Sequence, residues 1–297
     1  MRSGSSTCRA IHRRLRTLDR DLLADIDTDV EALHQARVAT RRLREALPLA
    51  AHTAADPEER RALLHVKKIV RGVTRALGAV RELDVALAIV DECAASKPGL
   101  LPAARLVRPL IEQDRAARLA ETHDHLKVAR FRKASRQLAH FTRTASDSEA
   151  PHGRVAPRVA ARSRALRTAV AEAGVFYAAD RLHAVRLAVK KLRYALELAE
   201  EIDKWPARQL VVLLKQTQDV LGRMHDLDVV GRYARLVLAR PDLAGKSRSA
   251  VASLLEMIEQ EIRERHADYL VGRDSLAEAA LGARHLGARS KRATLWP

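Results

Sequence analysis

One stretch of this chain occurs twice, and the repeat constrains the fold more than any other feature. LHQARVATRRLREAL (residues 33–47) returns as LHAVRLAVKKLRYAL (residues 182–196), with eight of fifteen positions identical and two exchanging Arg for Lys. Each copy sets a His ahead of basic residues three, seven and ten places on: His34, Arg37, Arg41 and Arg44, then His183, Arg186, Lys190 and Arg193. At roughly 100° per residue these side chains fall within about an 80° arc of a helix, climbing about 15 Å of its axis. A second pair follows in the same order: LGAVRELDV (77–85) returns as LGRMHDLDV (221–229), with five of nine positions identical. Two helices duplicated in order predict two similar bundles related by approximate two-fold symmetry.

Composition fits helices. In 297 residues there are only 12 Gly, 10 Pro and 3% aromatic residues, while Ala, Leu, Arg and Glu dominate; the expected class is all-α. With 47% hydrophobic residues the chain can bury one large core or two smaller ones. The formal net charge of +17 points to an anionic partner, and the duplicated tracks show where that partner would lie. Cys8 and Cys93 stand far apart and in no metal or redox spacing, as expected of free thiols in a reducing compartment. No apolar run approaches the ~20 residues of a membrane helix, and a cytoplasmic protein is expected.

Local signals place the elements. Thr28 to Glu31 reads as a capping box before the first basic helix. Asp56-Pro57-Glu58-Glu59 opens the next one, with Asp at the cap and acids at the positive end of the dipole. Residues 96–99 end it, and a helical region is expected from about Pro102 to Phe141, with Pro109 a kink or boundary. The polar stretch 144–153 reads as a linker between a first bundle (8–143) and a second (154–287), followed by a frayed basic tail (288–297). In the second half helices are expected near 155–177, with GlyValPheTyr (174–177) as a break, from Asp180 and from about Pro206, with Trp205 packing and a turn at 241–245.

In the first basic helix Leu33, Ala36, Thr40, Leu43 and Leu47 form an apolar seam. The cations are that seam shifted by one residue, so they flank a helix–helix groove. On the next helix Lys67, Arg71 and Arg81 project near Gly78, a glycine expected to report a close approach; Lys215 and His225 are the counterparts around Gly222. Arginine suits a phosphate chain, because its planar fork donates two hydrogen bonds and keeps its charge. Asp84 and Asp228 are expected to orient Arg or cap backbone instead of binding metal. HisAspHis at 123–125 puts its two His on different helix faces, which speaks against a metal site.

These motifs, H-x-x-R-x-x-x-R-R-x-R on a helix and then L-G-x-x-R-D-x-D-V, resemble the conserved histidine α-helical domain, or CHAD, over about residues 8 to 285. The resemblance implies two four-helix bundles with pseudo-two-fold symmetry, a basic central cavity, and binding of inorganic polyphosphate without a metal or organic cofactor. Members of the family also associate with polyphosphate or polyhydroxyalkanoate granules, or are fused to a triphosphate-hydrolysing CYTH domain. No Glu-x-Glu-x-Lys pattern of the latter occurs here. Carried over by motif, the binding positions are His34, Arg37, Arg41, Arg42 and Arg44, then His183, Arg186, Lys190, Lys191 and Arg193. Arg71, Arg81 and Lys215 join them from the second motif. This chain departs from the pattern at Arg81-Glu82 and His225-Asp226.

Two other function classes compete with a non-catalytic polyphosphate-binding or granule-targeting module. Nucleic acid also presents phosphates, but single-strand binders stack bases on aromatic side chains, and Tyr194 is the one aromatic residue in either track. A phosphotransferase or hydrolase would use His34 or His183 covalently, or Asp84 and Asp228 with Mg²⁺. Metal-dependent phosphoryl transfer needs carboxylates converging on the phosphates, and the tracks hold almost none.

Overall fold

The computed structural model describes residues 30–53, 56–125, 133, 136 and 155–293. Every regular element among its described residues is a helix: α1 (Val30–Thr53), α2 (Pro57–Ser96), α3 (Leu101–His125), α4 (Val155–Ala173), α5 (Ala179–Asp203), α6 (Arg208–Leu238) and α7 (Gly245–Ala293), with a 3-10 turn at Pro98–Leu100. Thr28, Cys8 and the 144–153 stretch lie outside the described residues, as do the side chains of Leu33, His34 and His123 to His125.

The helix starts and stops have local causes. At the head of α2 the Asp56 carboxylate accepts from the Glu58 N–H at 3.0 Å, and Pro57 occupies the first turn. α2 ends at Ser96 as expected, and the Leu100 N–H bonds back to Lys97 at 2.9 Å. Pro109, read as a kink or boundary, does not end a helix: α3 runs through it. Pro109 and Arg105 both face water, so the carbonyl that proline leaves unpaired is solvated, while Ala103, Val107 and Ile111 keep the buried stripe intact. α4 stops at Ala173, at the expected break, where Gly174 turns left-handed at φ 66°. α5 starts one residue before Asp180 and ends on Lys204 in the left-handed region, with Trp205 buried behind it. Residues 289–292, expected as a frayed tail, are still within α7.

α1 packs on α2 and α2 on α3, while α4, α5, α6 and α7 form a closed ring in which α7 returns to α4. The two halves meet through α1 against α5, α2 against α6, and α3 against α6 and α7. The described part of the α1 seam is buried, at Ala36, Thr40, Leu43 and Leu47, and α5 buries the corresponding stripe of Leu182, Val185, Val189, Leu192 and Leu196. Two apolar cores result, and among the described residues they do not follow the two sequence halves. One joins α1, α4 and α5 to the first part of α2, the first part of α6 and the last part of α7. The other joins α3 to the remaining parts of α2, α6 and α7. The change of core falls between Val80 and Leu83 on α2, Met224 and Leu227 on α6, and Ile262 and Tyr269 on α7. Arg81, Glu82, His225 and Asp226, the departures from the second motif, stand at this junction. Arg223 braces it, bonding Glu261 at 2.7 and 3.0 Å and Glu92 at 2.9 and 3.1 Å.

Leu43 is fully buried in the larger core. Leu43→Ala should cost about 2–5 kcal/mol of unfolding free energy, measured as a lower urea midpoint with unchanged slope.

Candidate anion-binding site

The seams of α1 and α5 set their basic neighbours facing one another across the junction of the halves. Arg37, Arg41, Arg81, Arg186 and Lys190 act on each other electrostatically and form one cluster. Burial, then Arg41, Arg81 and Arg186, pull the Arg37 guanidinium down to about 10, against a smaller opposing effect of Tyr194. Arg186 is lowered by burial and Arg41, with Asp226 and Glu82 opposing. Lys190 is affected most. Burial, followed by repulsion from Arg186, Arg41 and Arg37, brings its ammonium down to about 6, so near neutrality it is largely uncharged. Arg37 Nε and Arg186 Nε are buried and have no hydrogen-bond partner.

His183 stands at the end of the cluster, its ring 4.9 Å from that of His225. Burial, His225, Arg186 and Lys190 hold His183 below its ordinary value. His225 Nε2 lies 2.6 Å from Glu82 Oε1, linking α6 to α2, and this bond keeps the Glu82 carboxyl below its usual range. Asp226 is raised by burial despite Arg186, His225 and Lys190 around it. Glu82 and Asp226 both act on Arg186, and Asp226 also acts on Lys190. Like charges at 4 Å repel by about 4 kcal/mol even at an effective dielectric of 20, so the cluster retains an unneutralised positive field.

The remaining expected positions divide. Arg44 sits farther along α1, lowered by burial with Arg41, Arg71 and Arg162 adding and Glu45 opposing. Glu45 is itself held by Arg158 at 2.6 and 2.8 Å. Arg42 pairs with Glu197 at 3.6 Å. Arg193 is engaged by the protein: it bonds Glu197, reaches Gln218 at 3.2 Å and lies 4.5 Å over the Tyr194 ring. Lys191 and Lys215 are exposed. The side chain of His34 lies outside the described residues.

Gly78 and Gly222 do not mark the expected close approach. A methyl group added at either would meet no described atom within 4 Å, so space lies beside Arg81 and His225 where a side chain would otherwise project. Asp84 does orient an arginine, bonding Arg115 at 2.6 Å. Among the described residues no group of three His, Cys, Asp or Glu could hold a metal. Sequence reasoning passed over Glu82, Asp226 and Glu197. Their signal was present for the first two, since an acid follows the basic or His position in both copies of the second motif.

The Lys190 shift has a definite sign. The unfolded chain holds this proton up to the ordinary lysine value near 10.5, whereas the folded chain releases it at about 6. Folding therefore gains stability as pH rises between those values and carries the full penalty below about 6. Lys190→Met should stabilise the ligand-free protein at neutral pH by about 1–4 kcal/mol, on the order of a few degrees in Tm. The gain should shrink as the melts are moved towards pH 10.

Residues 8–235 match the family model for the CHAD domain. The crystal structure of the CHAD domain from the plant Ricinus communis superposes with a TM-score of 0.64 at 24% identity, over 94% of this chain and 93% of that one. PptA from Streptomyces chartreusis gives 0.65 at 17% identity, over 97% and 100%. At these identities the likeness is one of fold. No curated protein matches the chain. The family model ends inside α6, and the structural likeness continues over most of α7. With a family model matched over most of its length, its two motif pairs in order and a fold shared with CHAD structures, this chain belongs to the CHAD domain family.

Proposed function

We propose that this protein binds inorganic polyphosphate in the cluster formed by Arg37, Arg41, Arg81, Arg186 and Lys190, with His183 at its end, and that it does so without turning the ligand over. The observation that carries the reading is the pair of buried, unpartnered Nε atoms on Arg37 and Arg186, one from each copy of the repeat. A buried donor left unsatisfied costs about 1–3 kcal/mol, and charged ones more; a phosphate chain between α1 and α5 would supply acceptors and countercharge together. Inorganic polyphosphate offers a charge on each unit and is slim enough for a groove between helices.

The architecture belongs to the same proposal: two four-helix bundles related by approximate two-fold symmetry, with a basic cavity between them. The closed ring of α4 to α7 and the matched placing of α1 with α5 and α2 with α6 support it. A cytoplasmic site of action and docking on polyphosphate or polyhydroxyalkanoate granules are further parts of the proposal, drawn from the family. No helix among the described residues is long and apolar enough to cross a membrane. Nucleic acid is the second reading, because its phosphates would meet the same cations. Against it, Tyr194 is only 7% exposed and covered by Arg193, so it offers no face on which to stack a base.

Long-chain polyphosphate should bind far more tightly than triphosphate in calorimetric titrations, because linked phosphates act at high effective concentration. Arg37→Ala with Arg41→Ala should weaken binding on the order of a hundredfold, at about 1.5–3 kcal/mol per charged contact, with helicity retained. Arg186→Ala with Lys190→Ala should cost a similar amount. Equal binding of triphosphate and the long chain, or tighter binding of DNA at matched salt, would overturn this reading.

Binding should also take up protons. Lys190 titrates at about 6 in the empty site, and an adjacent polyanion favours its charged form, as it does for His183. Affinity should therefore rise as pH falls from alkaline values and level off below about 6, where Lys190 is charged in both states. Calorimetry in buffers of differing ionisation enthalpy measures the proton uptake, which Lys190→Met should reduce.

A further inference from the structure

A second set of polar side chains lies beyond His183, outside the central cluster. His266, Tyr269 and Arg273 are spaced by three and four residues on α7, which puts them within about 60° of one another round the helix. His266 Nε2, Tyr269 Oη and Arg273 Nε are all buried without a hydrogen-bond partner, and Tyr269 is only 3% exposed. Buried polar groups are nearly always satisfied. Three unsatisfied ones in a row on one helix face call for a shared partner.

Ring contacts connect this set to the cluster. His266 meets the edge of Tyr177 at 5.5 Å and stacks towards Tyr269 at 6.3 Å. Tyr177, in the connection from α4 to α5, lines a cavity of about 20 Å³ together with His183, His225 and Asp228. That volume suits a single water and excludes a phosphate. A chain leaving His183 would therefore pass over the outer side of Tyr177, which is 43% exposed beside Phe176 at 84%.

The chemistry of the α7 set is that of an oxyanion receptor. It offers a guanidinium, a phenol hydroxyl and an imidazole, and no described carboxylate bonds to any of them. Burial raises the Tyr269 hydroxyl, with Arg273 as its opposing charged neighbour, so at neutral pH it remains a donor. Asp228 acts on Tyr177 from the cavity, and its charge disfavours an anion on the inner route.

We infer that His266, Tyr269 and Arg273 form a second oxyanion subsite, occupied by phosphoryl groups of a chain whose other units lie in the central cluster. The inference rests on the polyphosphate reading above. It makes the bound path longer than the duplicated tracks and extends it over the second half of the chain.

The test compares long-chain inorganic polyphosphate with triphosphate on the full chain. Tyr269→Phe with Arg273→Ala should weaken the long chain about tenfold, the loss of roughly one charge-assisted contact, and lower the ratio of long-chain to triphosphate affinity by a similar factor. Lys246→Ala removes one exposed charge near the start of α7 and controls for net charge; it should change long-chain affinity by less than about twofold, as expected of a screened surface charge. The ¹⁵N ring signals of His266 should move on saturation with the long chain in the unmodified protein. A double variant that melts normally yet behaves like Lys246→Ala, or a His266 ring that does not respond, overturns the subsite and leaves the central reading standing. Should the unmodified protein bind neither anion, the central reading falls and this inference with it.

Discussion

Repulsion among buried cations is the constraint around which the rest of this structure is arranged. Arg41 stands close enough to Arg37, Arg186 and Lys190 to lower all three, a configuration that an isolated pair of helices would not hold. Apolar burial opposes it. Leu43, Leu47, Leu192 and Leu196 are fully buried in the same two helices, each contributing about 1.5–3 kcal/mol relative to exposure. That burial opposes the like-charge repulsion, which is about 4 kcal/mol for each pair at 4 Å and an effective dielectric of 20. The field is therefore a property of the folded state, held in place before any ligand arrives, which is the preorganisation that makes a charge-binding groove effective.

Position matters as much as charge. The second motif on α2 and α6 lies where one apolar core gives way to the other, so its polar residues face each other at a junction instead of within an oily interior. There the Glu82–His225 bond joins the halves, and the two acids temper the cluster without neutralising it. Lys190 takes up the excess by shedding its proton. The arginines cannot follow at neutral pH, since even a lowered guanidinium stays charged.

The element order, the α1 seam and most of the cation cluster were legible in the sequence, because the repeat fixed both helical period and the face carrying charge. Leu33 to Leu47 could be read as buried simply by spacing, and Ala36, Thr40, Leu43 and Leu47 are. What spacing could not supply was pairing. Arg193 follows the track by position, yet Glu197, one turn on, and Gln218 from α6 claim its guanidinium. Gly78 looked like a close contact, and whether a neighbouring helix fills that space is a tertiary fact. Pro109 does not end α3, and the carbonyl it leaves unpaired faces water. The assignment of cores was likewise hidden: a repeat shows two similar halves, and nothing in either half announces that both cores draw on both.

The three helices that cross the junction have a mechanical consequence. α2, α6 and α7 each contribute to both apolar cores without interruption, acting as splints across a layer that would otherwise be the weakest plane of the molecule. Melting one core would leave a severed helix projecting from the other, its freed backbone groups and apolar stripe unprotected. Each sequence half therefore leans on the other for its apolar burial, because among the described residues neither core is built from one half alone.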